Sequence, residues 1–208
     1  MTLRPILSRA APGVALLACA ALAPAALAQA QLPQWCAQFL AAPVVSVDGK
    51  EPKPAKPKRL VPFQGTFAYV ETFRLDPGFV GCPGLRGSLA GAGGATGLGP
   101  AVLRSENCAF PLPDSPLNFF GSDVRITTAS GDVLSARYCG AAIPLDATLT
   151  QTRLVGAYVI TGGSGPLKDA SGSGSISGSE SISYAVTSTG PAPVSGRGTI
   201  TLDGLIDY

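Results

Sequence analysis

Residues 173–187 read SGSISGSESISYAVT. Serine occupies positions 173, 175, 177, 179, 181 and 183, and the alternate positions carry Ile176, Glu180, Ile182, Tyr184 and Val186. Successive side chains of a β-strand point to opposite faces, so this period of two predicts a strand with a solvated serine face and a largely apolar inner face. The same period governs residues 63–73, whose odd positions are Phe63, Gly65, Phe67, Tyr69, Glu71 and Phe73. It returns in residues 198–208, where Ile200, Leu202, Ile206 and Tyr208 share one face.

Between these stretches the pattern is strand, turn, strand. Further strands are predicted at 85–90, 101–107, 122–129, 133–140 and 153–161, and Ser130, Gly131 and Asp132 form a tight hairpin turn. Long helical periodicity is absent. Roughly eight evenly spaced antiparallel strands point to an all-β barrel or sandwich. The expected fold is a closed antiparallel β-barrel, lipocalin-like in shape, whose interior is filled by side chains or holds one small ligand.

The chain opens differently. Arg4 and Arg9 precede an uncharged, small-residue apolar run from Ala10 to Ala26. Ala26-Leu27-Ala28 then presents the small residues a signal peptidase reads, with Ala28-Gln29-Ala30 as a second site. Residues 1–28 are therefore expected to be a cleaved signal peptide, and the protein periplasmic or secreted. Alternative readings of the start are a membrane anchor, disfavoured by Pro12 and Pro24, or a lipoprotein through Cys19. No later segment is apolar for long enough to span a membrane as a helix. Residues 29–61 are expected to be an arm and residues 62–208 the barrel. In the arm, Leu32, Trp35, Phe39 and Leu40 fall at helical spacing, and residues 48–59, DGKEPKPAKPKR, read as an extended solvated linker.

Loss of Cys19 with the signal leaves Cys36, Cys82, Cys108 and Cys139. In an oxidising compartment two disulfides are expected, and three pairings are open. There is no histidine and no C-x-x-C pair, so no metal site is expected. From Leu60 onward the chain has eight Lys/Arg and eleven Asp/Glu, a net charge of −3. That balance does not fit a nucleic-acid partner, which needs positive charge spread over one face. The basic cluster of Lys50, Lys53, Lys56, Lys58 and Arg59 is a soluble spacer or an adhesive for anionic envelope material.

Residues 158–178 read YVITGGSGPLKDASGSGSISG. A strand runs into Gly162, Gly163, Ser164 and Gly165, passes Leu167, Ala170 and Gly172, and a new strand begins. Glycines permit the positive φ and the close backbone approach of a tight corner. No helix and no Lys-Ser/Thr pair follows, which argues against a phosphate loop. This G-G-[ST]-G-x-[FL]-x-x-A-x-G pattern resembles allene oxide cyclase and dirigent proteins and their uncharacterised secreted bacterial relatives. The hairpin of residues 126–140 and the ending GRGTITLDGLI, residues 196–206, are similar in style. The resemblance implies a closed barrel with a pocket and does not by itself transfer chemistry. Leu167 after Pro166 departs from the phenylalanine common in that family.

Without histidine, Ser-His-Asp and Cys-His catalysis are excluded. The oddly placed groups are Glu71 and Glu180, which share parity with the apolar faces of their strands. They are expected to face a pocket lined by Phe63, Phe67, Tyr69, Ile182 and Tyr184, as a ligand anchor or an acid/base pair. The plainer alternative is a bulge at Gly178 or near Thr72 that turns them outward, or an ion pair with Arg137 or Arg153. The functional expectation is a non-enzymatic exported barrel that binds a small apolar ligand or acts at the cell envelope, without a cofactor. The alternative is an isomerase, cyclase or dirigent-like protein that steers a lipid-like or phenolic intermediate. Oligomeric state is left open.

Overall fold

The computed structural model describes residues 33–42, 59–75, 81–112, 115–188 and 190–208. The signal-like segment and nearly all of the Pro/Lys stretch lie outside the described residues. Eight strands follow in order: β1 (Val61–Leu75), β2 (Leu85–Ala95), β3 (Gly99–Leu112), β4 (Ser115–Thr128), β5 (Val133–Pro144), β6 (Gln151–Gly163), β7 (Ser171–Thr187) and β8 (Gly190–Asp207). Each pairs antiparallel with the next, and β8 returns to β1 to close a barrel. The seam runs from Val61↔Ile206 to Thr72↔Ser195.

Parity along β1 is unbroken: Phe63, Gly65, Phe67, Tyr69, Glu71 and Phe73 are buried and the residues between them are exposed. An eight-stranded barrel is narrow, so bulk on one strand must meet little on its neighbours. That is how the register falls. Phe67 pairs with Gly93, Tyr69 with Gly91 and Phe73 with Gly87 on β2. On the other side Phe63 pairs with Gly204, Tyr69 with Gly198 and Glu71 with Gly196 on β8. The glycines of LRGSLAGAGGA in β2 are thus complements to the aromatic row of β1, and the strand extends to Ala95, past the predicted 85–90.

The interior divides along the barrel axis. A large apolar cluster including Phe63, Phe67, Ile126, Leu134 and Ile206 fills one end, and Phe73, Ala109 and Ile182 form a small cluster at the other. The large cluster is closed by the glycine corner. Gly165–Leu167 makes a 3-10 turn. The Ser164 N–H donates to the Val133 carbonyl oxygen at 2.8 Å, and the Val133 N–H donates to Ser164 Oγ at 2.9 Å. Gly165 has φ +55°, and a Cβ at Gly163 or Gly172 would collide with the carbonyl oxygen of Val133 or Leu205. Leu167 and Ala170 turn inward from this corner and plug the end. Leucine fills the position that resembles phenylalanine in the compared motif, and the Pro166 before it sits in the turn.

The arm supplies helix α1 (Gln34–Ala41), as its spacing predicts. It lies on the outer wall: Trp35 packs edge-on against Phe110 and Phe120, and Phe39 against Phe120. Arg137 donates to the carbonyl oxygens of Leu40 and Ala42 and lies 6.0 Å from the Phe39 ring. Of the three open pairings, the structure has Cys36–Cys139 and Cys82–Cys108. The first ties α1 to β5.

Candidate functional site

Glu71 and Glu180 both point into the barrel, 5% and 4% exposed. Gly178 pairs regularly with Ile200 and with Leu154, and β1 is in unbroken register through Thr72, so neither strand bulges near its glutamate. Arg137 is engaged with α1 and Arg153 is exposed. Neither one reaches the glutamates to form an ion pair.

The two carboxyls meet because β8, which lies between their strands, has no side chains at that level. Glu71 pairs with Gly196, and Glu180 with Gly198, which also pairs with Tyr69. A Cβ at Gly196 would collide with Glu180 Oε1, and one at Gly198 would lie 2.9 Å from Tyr69 Oη. On the other flank a Cβ at Gly87 would collide with Glu71 Oε1 and Asn107 Oδ1. Three glycines thereby make room for a polar layer between the two apolar clusters.

That layer is completed by residues the sequence reading did not single out. Ser105 and Asn107 enter from β3 and Tyr138 from β5, with Ser105 Oγ donating to Tyr138 Oη at 3.4 Å. Inward parity on β3, with Leu103 before and Ala109 after, is the signal that would have found Asn107. A cavity of about 70 Å³ runs past this layer, with Phe119, Leu134, Tyr158 and Ile176 among its apolar walls. Of the expected pocket residues, Phe63 and Tyr69 line it. Phe67 is fully buried in the large cluster and Ile182 belongs to the small one. Tyr184 lies past a register shift at Ser183/Tyr184 and donates to the Leu149 carbonyl oxygen at 3.1 Å. Val186, expected on the inner face, is 92% exposed because β7 outruns the barrel.

Among the described residues no lysine or arginine lines the cavity. Burial, and then the charge of Glu180, push the Glu71 carboxyl up to about 8. Burial pushes Glu180 up to about 7, and hydrogen bonds from Glu71 and Tyr69 moderate the rise. Near neutral pH the two carboxyls therefore titrate as a pair, with about one proton and about one negative charge between them. Asn107 hydrogen-bonds Glu71 and lowers it somewhat. Burial, and then the charges of Glu180 and Glu71, raise the Tyr69 phenol well above its ordinary value, and burial does the same for Tyr138. Both tyrosines are neutral hydrogen-bonding groups beside a carboxylic acid and a carboxylate. Such a set can donate a proton, accept one, or fix a polar head in an apolar chamber. Among the described residues there is no group of three or more His, Cys, Asp or Glu able to hold a metal ion.

No protein-family model matches the chain, and no curated protein matches it. Among solved structures it is similar to a pterocarpan synthase dirigent protein, at 9% identity and a TM-score of 0.32, over 75% of this chain and 89% of that one. A similarity this distant says nothing about the site.

Proposed function

We propose that the protein is an exported barrel that binds a small, mostly apolar molecule with one polar group, held at the Glu71–Glu180 layer. The observation that carries this is the cavity's composition: mostly apolar walls, with most of its polar groups converging at the Glu71–Glu180 level, the usual make-up of a ligand site. Two disulfides agree with export to an oxidising compartment. Native mass spectrometry of protein purified without denaturant tests the reading. The expected result is a small adduct lost on unfolding, or a thermal shift with short-chain apolar alcohols and ketones. A bare mass together with no shift across such a panel would overturn it.

The shared proton favours a second reading, in which the same pair moves protons on a bound intermediate, as an isomerase, cyclase or dirigent-like protein would need. A lipid-like substrate would then have to extend past Phe73, Ala109 and Ile182 at the far end. Under this reading Glu71→Gln abolishes turnover and leaves binding nearly intact; under the first, no turnover exists to lose.

A further inference from the structure

Three oxygens of the polar layer, Glu71 Oε1, Glu180 Oε1 and Asn107 Oδ1, are buried with no hydrogen-bond partner in the geometry, and the proton shared by the glutamates can serve one of them at a time. All three side chains are at least nine-tenths buried. Among the described residues no positive charge lines the cavity. Arg86 pairs with Glu106 and Arg125 with Asp123, Arg137 is engaged with α1, and Arg74, Arg104, Arg153 and Arg197 are exposed. The polar layer thus has more acceptors than donors and a charge with no counterion among the described residues, while the Tyr158 hydroxyl elsewhere on the wall also lacks a partner; a buried site does not sustain this without compensation.

We infer that the cavity is a site for a small organic ammonium, a protonated primary amine on a short apolar stem. The inference rests on the binding role proposed above and adds the ligand's chemical class. A neutral alcohol brings one donor and no charge. A carboxylate brings no donor and repels the pair. An ammonium brings three N–H donors and one positive charge to three oxygens that have one shared proton among them and one negative charge. Size is limited too. At roughly 10–15 Å³ of such space per water-sized group, 70 Å³ admits about five non-hydrogen atoms, the size of n-butylamine.

Binding of this kind depends on pH. The titratable groups facing the cavity are Glu71 and Tyr69 from β1, Tyr138 from β5, Tyr158 from β6 and Glu180 from β7, and Tyr184, outside the lining, feels the charge of Glu180; β2, β3, β4 and β8 line it with none. The tyrosines stay neutral throughout. As pH falls below about 7, Glu180 takes up a proton, the pair loses its charge, and the ammonium loses its partner.

The test is calorimetric titration of the intact protein with n-butylamine, 1-butanol and sodium butyrate at pH 7.5 and pH 5. The amine is expected to bind at least ~10-fold tighter than the alcohol at pH 7.5, as a charge-assisted contact does over a neutral one, and butyrate not at all. The preference should shrink at pH 5, and in Glu71→Gln/Glu180→Gln it should vanish, a cooperative thermal transition showing that the variant is folded. Equal or tighter binding of 1-butanol to the wild type, or an amine preference that survives in the double variant, overturns the ammonium assignment and leaves the binding role standing. If none of the three binds, both fall.

Discussion

Toward the glycine corner, β1 presents Phe63 and Phe67 to Ile126, Leu134 and Ile206, an apolar cluster that also walls part of the cavity. A few residues further along the same strand it presents Tyr69 and Glu71 to Glu180 and Asn107, the polar level of that cavity. Neither strand order nor parity changes between these halves. What changes is where the glycines sit. At Gly65 the space of the missing side chain is taken by the Phe67 ring, whereas at Gly87, Gly196 and Gly198 it is taken by polar heads. One half is arranged for stability; the other accepts two poorly compensated carboxyls. Sites are commonly the places where a fold departs from its own packing rule.

The largest effect should come from the packed half. Phe67→Ala removes a fully buried ring and is expected to cost about 3–5 kcal/mol, on the order of 10 °C in Tm, by chemical and thermal denaturation. Phe73→Ala, in the three-residue cluster beyond the polar layer and 8% exposed, should cost clearly less. Equal losses would abolish the distinction between the halves. Next, Gly87→Ala drives a Cβ into Glu71 Oε1 and Asn107 Oδ1. It is expected to cost about 1–3 kcal/mol and to weaken ligand binding more than the folding loss explains. Gly91→Ala, beside Tyr69 and outside the polar heads, is its comparison.

The smallest stability effect should come from the glutamates themselves. Glu71→Gln/Glu180→Gln keeps shape and removes a buried charge, so Tm at pH 8 should stay level or rise. A pH series sharpens this. In the folded barrel both carboxyls hold their protons to higher pH than the ordinary 4.5. Their contribution to stability is fully present below that value and is lost as pH rises through about 8. Wild-type Tm should fall between pH 5 and pH 8.5 by at least ~5 °C more than that of the double variant. Parallel profiles would show that the pair is not strained by its surroundings.

Much of the barrel was legible because its signal is local. The serine alternation of β7 and the aromatic alternation of β1 each name a strand and its inner face, and both glutamates were placed by parity alone. Parity failed where register shifts. Tyr184 and Val186 lie beyond such a shift and leave the interior. Cross-strand facts were not legible. That Gly196 and Gly198 stand between the two glutamates follows from the β1–β8 and β7–β8 registers, which no single strand encodes. The polar contribution of β3 and β5, Asn107 with Tyr138, is of the same kind. The disulfide pairing likewise needed α1 set on the outer wall beside Cys139.

The β1–β8 seam has a consequence for how the chain reaches this structure. Every other strand pairing joins neighbours in sequence, so seven hairpins can zip in turn at small loop-closure cost. The seam joins Phe67 to Ile200, across nearly the whole domain. Until β8 arrives, β1 has an open edge able to pair with another molecule, and the polar layer has no wall behind it. Folding should therefore be rate-limited at the seam, and crowding of unfinished chains should favour aggregation. Pulsed hydrogen exchange during refolding would read this as protection appearing last at amides of β1 that bond β8, after those of the β4–β5 hairpin are already slow.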